Sequence, residues 1–293
     1  MKILIIGSRG QLGSDLVKAL ETHELITPEH YDLNVANKEN VKNYIIENEP
    51  HAVINCSAFH DVPKCENDPI TSFSVNTAGP FNIAETCKEI GAEFFHISTD
   101  YVFNGHKGFP YKESDTPDPL MVYGVSKYAG ELLALKMWEK TAVIRTTGLF
   151  GKNPCRAKPG GRNFVDLMLH LGRQNGEVKV VGDQYCCPTY TPDLANQIAV
   201  MVTDKIEYGI YHAVTPPGCS WYDFAKTIFD LADLKVDVQK VNSDFFPANF
   251  KRPDDSRLSN ERLAKSGMDI MRPLKEVTME YLTNDKLNKV TVI

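Results

Sequence analysis

No stretch of this 293-residue chain approaches the ~20 consecutive apolar residues that a membrane-spanning helix requires. The first residues, Met1 to Gly13, also lack a signal-peptide pattern: the apolar run Ile3–Ile6 is too short and meets glycine at once. The expectations are no membrane contact and a cytoplasmic location. Seven cysteines are scattered along the chain, with no Cys-x-x-Cys pair and no Cys/His cluster at zinc-ligand spacing. That pattern supports neither a disulfide framework nor a metal centre, so the cysteines read as structural or free thiols and no metal is expected. An excess of positive charge is also missing. The formal net charge is −6, which argues against a nucleic-acid or anionic-membrane surface and leaves room for local basic sites on a phosphorylated ligand. There is no internal repeat and no low-complexity tract. What is present, 42% hydrophobic and 24% charged residues, suits a globular protein with a sizeable core, in one large domain or two smaller ones.

The chain opens on a continuous apolar run, Lys2-Ile3-Leu4-Ile5-Ile6, as a strand buried on both faces should. Gly7-Ser8-Arg9-Gly10-Gln11-Leu12-Gly13 follows, and then a helical pattern through Leu16 and Leu20. Strand, glycine-rich turn and helix N-terminus together point to a dinucleotide. Glycines let the backbone approach a pyrophosphate, and the helix start favours its negative charge. The spacing is Gly-x-x-Gly-x-x-Gly rather than the commoner Gly-x-Gly-x-x-Gly. Two cues on the adenosine ribose conflict. Glu29, after the second strand Glu24–Thr27, is placed to bind the 2′-hydroxyl of NADH, whereas Arg9 is placed to meet the 2′-phosphate of NADPH.

A helix is expected over Lys38–Asn48, a third strand over Ala52–Asn55, a long helix over Pro69–Ile90 and a fourth strand over Glu93–Ile97. Cys56-Ser57-Ala58, after the third strand, are small enough to line a loop close to the cofactor. Asn76 carries an amide that could face the site. His96, inside an apolar run, reads as a satisfied core histidine. Strands alternating with helices imply right-handed βαβ units in a parallel sheet. Ligands bind beyond the C-terminal strand ends of such sheets, where Gly7, Ser57 and Ser98-Thr99 all fall. Tyr123 and Lys127 follow on an expected helix from about Tyr123 to Glu139, four residues apart and so on one face. A lysine ammonium beside a phenol lowers its pKa, and with a nicotinamide alongside the natural chemistry is hydride transfer coupled to proton transfer. Thr99 and Tyr123 are each able to bind a carbonyl oxygen.

Beyond these, Ala142–Arg145 reads as a strand. Gly151–Asn163, with Pro154, Pro159, Gly160 and Gly161 among four basic residues (Lys152, Arg156, Lys158, Arg162), reads as a domain boundary or substrate loop. Phe164–Leu171 reads as a helix and Val178–Val181 as a strand. A helix over Thr191–Val202 has Thr191 as its N-cap, a strand covers Ile210–Val214, and a helix over Ser220–Leu231 has Ser220 as its N-cap. The fold expected is α/β: a Rossmann-type parallel sheet with helices on both faces, plus a smaller C-terminal α/β substrate-binding domain. Residues 1–150 form the dinucleotide domain, with segments near 178–214 returning to it, and residues 151–293 mainly form the substrate domain.

Several motifs carry a resemblance: Asn55-Cys56-Ser57-Ala58 with Lys64-Cys65-Glu66, Val75-Asn76, and Ser98-Thr99-Asp100-Tyr101-Val102-Phe103. Pro110-Tyr111-x-Glu113, Pro119-Leu120-x-x-Tyr123-Gly-x-Ser-Lys127 and Gly130-Glu131 continue it. Asn163-Phe164, Asp183-Gln184, Pro188-Thr189 and Arg252-Pro253-x-x-Ser256-x-Leu258 complete it. In this order they resemble the dTDP-4-dehydrorhamnose reductases, extended short-chain dehydrogenases/reductases. The resemblance implies NADPH- or NADH-dependent reduction of a 4-keto group on a nucleotide-linked 6-deoxy sugar. Thr99, Tyr123 and Lys127 would be catalytic. Gly7, Arg9, Gly10, Gln11, Leu12, Gly13, Glu29, Cys56, Ser57, Ala58 and Asn76, with Tyr123 and Lys127, would hold the cofactor. Phe59, His60, Tyr101, Asn163 and Arg252 would meet the nucleotide sugar, and a homodimer is compatible with the family.

The sequence also departs from the family pattern. Gly148 stands where these reductases usually carry an aromatic residue, and Phe59-His60 replaces the usual Tyr-Thr. Losing a ring changes the shape and stacking of a sugar pocket, so the choice of sugar is the open part of the reading. The alternatives are another nucleotide-sugar reductase or epimerase, and a regulatory subunit resembling the β-subunit of methionine adenosyltransferase. A dehydratase is disfavoured because Tyr101, not Glu, follows Asp100.

Overall fold

The computed structural model describes residues 1–155, 159–204 and 206–290. In chain order the elements are β1 (Lys2–Ile6), α1 (Gln11–Ala19), β2 (Glu24–Ile26), α2 (Lys38–Asn48), β3 (Ala52–Asn55), α3 (Val62–Asn67), α4 (Pro69–Phe73), α5 (Gly79–Ile90), β4 (Glu93–Thr99) and α6 (Val122–Met137). They continue with β5 (Thr141–Thr146), α7 (Phe164–Asn175), β6 (Glu177–Val181), β7 (Tyr185–Cys186), α8 (Thr191–Thr203), β8 (Gly209–His212), β9 (Cys219–Ser220), α9 (Trp221–Ala232), β10 (Asp237–Val241), α10 (Glu261–Lys265) and α11 (Leu274–Val290).

Six parallel strands form the main sheet in the order β2-β1-β3-β4-β5-β8. Side chains alternate across it as the pleat requires. Ile3 and Ile5 of β1 join Ile54, Phe95 and Ile144 in a core against α1 and α8. Leu4 and Ile6 join Val53 and Phe94 in a core on the opposite face with Val41, Ile45 and Ile83. Both faces are therefore buried, which is why these strands read as unbroken apolar runs. A separate core gathers Phe150, Val165, Leu169, Phe224, Ile228, Val277 and Tyr281 around α7, α9 and α11. Beside it lies the parallel pair β10-β6.

The Rossmann-type sheet with helices on both faces agrees with the sequence reading, and α2 has the expected bounds. Two details differ. The helix expected over Pro69–Ile90 is divided by a five-residue π-helical turn, Ser74–Ala78, that contains Asn76. Thr191 is not an N-cap: it is the first residue of α8, Tyr190 precedes it as the cap, and its hydroxyl donates to Asp15 Oδ2 at 2.6 Å instead. Ser220 does cap α9, accepting from the Asp223 N–H. Arg156 and Lys158 of the basic loop lie outside the described residues.

Two glycines seat α6 against the sheet end. A Cβ at Gly124 would overlap the Tyr101 carbonyl oxygen, and one at Gly130 would overlap the Asn76 carbonyl oxygen. Gly130→Ala is accordingly expected to lower stability by about 1–3 kcal/mol, the usual penalty for overpacking, read as a reduced thermal midpoint. An unchanged midpoint would mean that α6 does not lie this close to the π-helical turn.

Candidate active site

The glycine turn forms a cradle that side chains would fill. Gly7, at φ +80°, ends β1 in a left-handed conformation. A Cβ on it would come within 3.1 Å of Cys56 C and Ser57 N, and one on Gly13 would overlap the Gly7 carbonyl oxygen. The Gly10 N–H donates to Gly7 O at 2.9 Å. The start of α1 has no side-chain cap and no acidic residue in its first turn. Its unpartnered N–H groups and positive dipole end therefore suit a pyrophosphate. Leu12 is buried in the sheet core and has only backbone groups to offer a ligand, and the Gln11 amide nitrogen donates to Gly151 O. Arg9 and Glu29, the two conflicting ribose cues, form an ion pair with each other.

At the far end of β3, Asn55 Oδ1 accepts from the Ser57 N–H at 3.0 Å and from its hydroxyl at 2.5 Å. Burial pushes the Cys56 thiol up to about 12, which leaves it unreactive. Asn76 clamps the next residue from both sides. Its Oδ1 accepts from the Phe59 N–H at 2.8 Å, and its Nδ2 donates to Phe59 O at 2.9 Å and to Ser126 Oγ at 3.1 Å. Asn76 thus fixes the loop after β3 through its backbone.

Tyr123 and Lys127 lie one turn apart on α6, against the end of β4. Burial raises the Tyr123 phenol above its ordinary pKa, with Asp100 adding to the rise and the Thr99 hydroxyl opposing it. Lys127 is not aimed at the phenol. Its Nζ donates to Ile97 O at 2.5 Å and lies 3.3 Å from His96 Nε2. The expected lowering of the Tyr123 pKa by Lys127 is therefore absent from this arrangement. Burial lowers Lys127 itself to about 8, opposed by Glu131 and Cys56.

Asp100 is almost fully buried at 2% exposure. It accepts from Ser256 Oγ at 2.5 Å and from Thr99 Oγ1 at 3.0 Å. Burial raises it to about 6, and hydrogen bonds from Ser256, Thr147 and Thr99 oppose the shift. It ties β4, the segment after β5 and the C-terminal part of the chain to one carboxyl group. Tyr101 stands edge-on to Tyr123 with ring centroids 6.2 Å apart, and the Arg252 guanidinium is near enough to oppose the rise that burial gives its phenol pKa. Tyr101 and Arg252, expected at the nucleotide sugar, are thus neighbours.

The other expected sugar contacts are placed differently. His60 hydrogen-bonds Cys155 and the Ala58 carbonyl, and the Cys155 bond is the main cause of its raised pKa. Asn163 caps α7 through its Oδ1. Its Nδ2 donates to Gly151 O, Asp166 Oδ2 and Tyr281 Oη, so its amide is committed to the fold around that helix start. Gly148, at φ +57°, leaves a space bounded by Pro188 Cα and Trp221 Cη2, at 3.2 and 3.3 Å from the position of a Cβ. The indole of Trp221 from α9 therefore stands beside the position where the sequence lacks a ring.

Sequence reasoning missed Asp100 and Ser256 as partners, and Glu131 and Asn55 as supports. All four lie inside the motifs quoted above, but only tertiary structure brings them into contact. The folded pKa of Asp100 is about 6 against an ordinary 3.8, so the native state holds a proton that the unfolded chain releases. This contribution favours the native state at low pH and declines as pH rises from about 4 to about 6. The thermal midpoint of the native sequence relative to Asp100→Asn should fall across that window. A difference that does not vary with pH would remove the buried carboxyl from the account.

Residues 1–287 match the family described as the RmlD substrate binding domain. The chain is 35% identical to the spore coat polysaccharide biosynthesis protein SpsK of Bacillus subtilis, over 96% of each chain. It is 35% identical to a dTDP-4-dehydrorhamnose reductase of Aggregatibacter actinomycetemcomitans, over 94% of this chain and 98% of that one. A crystal structure of a dTDP-4-dehydrorhamnose reductase from Clostridium acetobutylicum superposes with a TM-score of 0.91 at 38% identity, covering 98% of this chain and all of the other. One from Bacillus anthracis, in complex with NADP, superposes at 0.90 and 34% identity, covering 97% of this chain and 99% of that one. With a glycine cradle, a Thr-Tyr pair at the end of β4 and a match over nearly its whole length, this chain belongs to the RmlD substrate binding domain family.

Proposed function

We propose that this protein is an NAD(P)H-dependent oxidoreductase that reduces the 4-keto group of dTDP-4-dehydrorhamnose to give dTDP-L-rhamnose. The observation that carries the reading is the placement of Thr99, the last residue of β4, and of Tyr123, in the first turn of α6, at the C-terminal end of β4, on the same sheet edge as the glycine cradle. When bound, the dinucleotide supplies the hydride. Thr99 Oγ1 and Tyr123 Oη bind the sugar C4 oxygen, and Tyr123 delivers the proton to it. A phenol held above its ordinary pKa is protonated at neutral pH, as a proton donor must be. Lys127 turns from Ile97 to the nicotinamide ribose. Arg252, next to Tyr101, sets a cation beside the nucleotide sugar. The core around α7, α9 and α11 forms the substrate side of a division near residue 150. The reading goes with a cytoplasmic protein and a homodimer; no described helix is long and apolar enough to cross a membrane.

The deciding assay offers enzymatically made dTDP-4-dehydrorhamnose with NADPH or NADH and follows loss of reduced nicotinamide. Absence of turnover with both would sink the rhamnose reading. Tyr123→Phe should lose turnover by a factor of about 100 or more while still binding NADPH; native rates in this variant would show that the proton donor is another group. Glu29→Gln frees Arg9 from its partner and removes an acceptor for the ribose hydroxyls. It should raise the ratio of kcat/KM for NADPH over NADH about tenfold, equivalent to ~1.4 kcal/mol. An unchanged ratio would mean that the Arg9–Glu29 pair does not read the ribose.

A further inference from the structure

His96 is fully buried on β4, and both of its ring nitrogens have neighbours. Nδ1 lies 3.3 Å from Asn55 Nδ2, and Nε2 lies 3.3 Å from Lys127 Nζ. The orientation of the Asn55 amide is fixed independently of the histidine. Its Oδ1 accepts from the Ser57 backbone N–H and hydroxyl, and a flipped amide would set N–H against N–H. Asn55 Nδ2 is therefore the atom that meets His96, and an amide nitrogen only donates. His96 Nδ1 must accept, so a neutral ring carries its hydrogen on Nε2, aimed at Lys127. Burial keeps the ring neutral by pulling its pKa well below the usual histidine value, and Lys127 pulls it further.

An ammonium has three N–H donors and no lone pair, so it cannot accept from this Nε2–H, whereas a neutral amine can. The neutral amine also satisfies Ile97, whose carbonyl accepts from Nζ at 2.5 Å. We propose that His96 is a positioning residue for Lys127. Oriented by Ser57 and Asn55, its Nε2–H favours the neutral amine of Lys127 in the free protein, so that at alkaline pH the lysine is parked on β4 uncharged and takes a proton from solvent when it turns to the dinucleotide ribose. Dinucleotide binding is thereby coupled to proton uptake at alkaline pH. The charged and titratable groups around Lys127 are Glu131, one turn on along α6, and Cys56 beyond β3, both of which favour its charged form. His60 also senses its charge, and Tyr123 lies one turn before it on α6. None of these supplies the donor that His96 does.

The inference rests on the reductase reading only in that Lys127 meets the cofactor. Its tests involve no sugar, so failed turnover of dTDP-4-dehydrorhamnose leaves them interpretable. The direct test is the long-range ¹H–¹⁵N spectrum of the histidine rings in the ligand-free protein, assigned for His96 with His96→Gln as the blank. The Nε2–H tautomer is expected, and the Nδ1–H tautomer would overturn the proposal. The second test is the Kd for NADPH against pH. In Asn55→Asp the carboxylate accepts from an Nδ1–H, which turns Nε2 into an acceptor for the ammonium. In His96→Gln the amide can present its oxygen to Nζ. In both variants the alkaline weakening of NADPH binding should begin about one pH unit higher, a roughly tenfold tighter Kd on that limb. If both variants bind NADPH at neutral pH with the native alkaline limb, His96 does not govern the state of Lys127. If either fails to fold, the tautomer of the native protein decides alone.

Discussion

The buried ion pair between Glu131 and Arg145 is the constraint on which the active crevice depends. Glu131 lies on α6 and Arg145 on β5, with side-chain exposures of 0% and 1%. The guanidinium engages the carboxylate through Nε and Nη2, the latter at 2.6 Å. Ser98, at the end of β4, donates its hydroxyl to the same carboxylate, and the guanidinium lies over the Phe103 ring at 5.1 Å. One anion thus fixes α6 against two strands and the loop that follows the second. Removing one member of such a pair leaves an uncompensated buried charge, typically at about 3–5 kcal/mol. That energetic demand is what makes the position of α6 unambiguous. Tyr123 and Lys127 lie two turns and one turn, respectively, before Glu131 on this helix, so their placement follows from it.

Around this anchor the site is built from groups that hold one another. The π-helical turn carries Asn76 to the Phe59 backbone and to Ser126 of α6. Asp100 gathers Thr99, Thr147 and Ser256. Both devices bring segments distant in sequence to the end of β4, and both use buried polar groups whose partners are present. Such networks specify a single arrangement because a half-made one leaves buried donors and acceptors unpaired. The pyrophosphate cradle rests on the opposite device: an absence of side chains that lets three backbone stretches approach closely.

Much of this was legible in the sequence, for physical reasons. β1, β3, β4 and β5 are buried on both faces, so their apolar runs announce them. The glycine turn needs glycine, and the Tyr-Lys spacing is a property of any helix. What was not legible depends on tertiary contact. Thr191 has the residue type of an N-cap, yet its hydroxyl is taken by Asp15, which is 176 residues away. Asn163 matched the family's motif, and its amide is held by Gly151 and Tyr281. Lys127 lies on the predicted helix face, but its long side chain turns to Ile97 and His96 rather than to the phenol. No local pattern encodes that choice, because it depends on which neighbours β4 offers.

The last strand of the main sheet comes from late in the chain. β8 pairs with β5 in register from Ala142↔Gly209 to Arg145↔His212, and α8 covers the sheet face that α1 covers. The chain therefore leaves the sheet after β5, contributes α7 and β6 to the second core, and returns. A ribosome that has released only the first 150 residues has presented a sheet with an open edge and a half-covered apolar face. Completing it requires contacts across some 60–200 residues, and loop closure of that kind is slow to form. The two cores are therefore coupled in biosynthesis: the sheet cannot be finished until part of the second core's own sequence has been made.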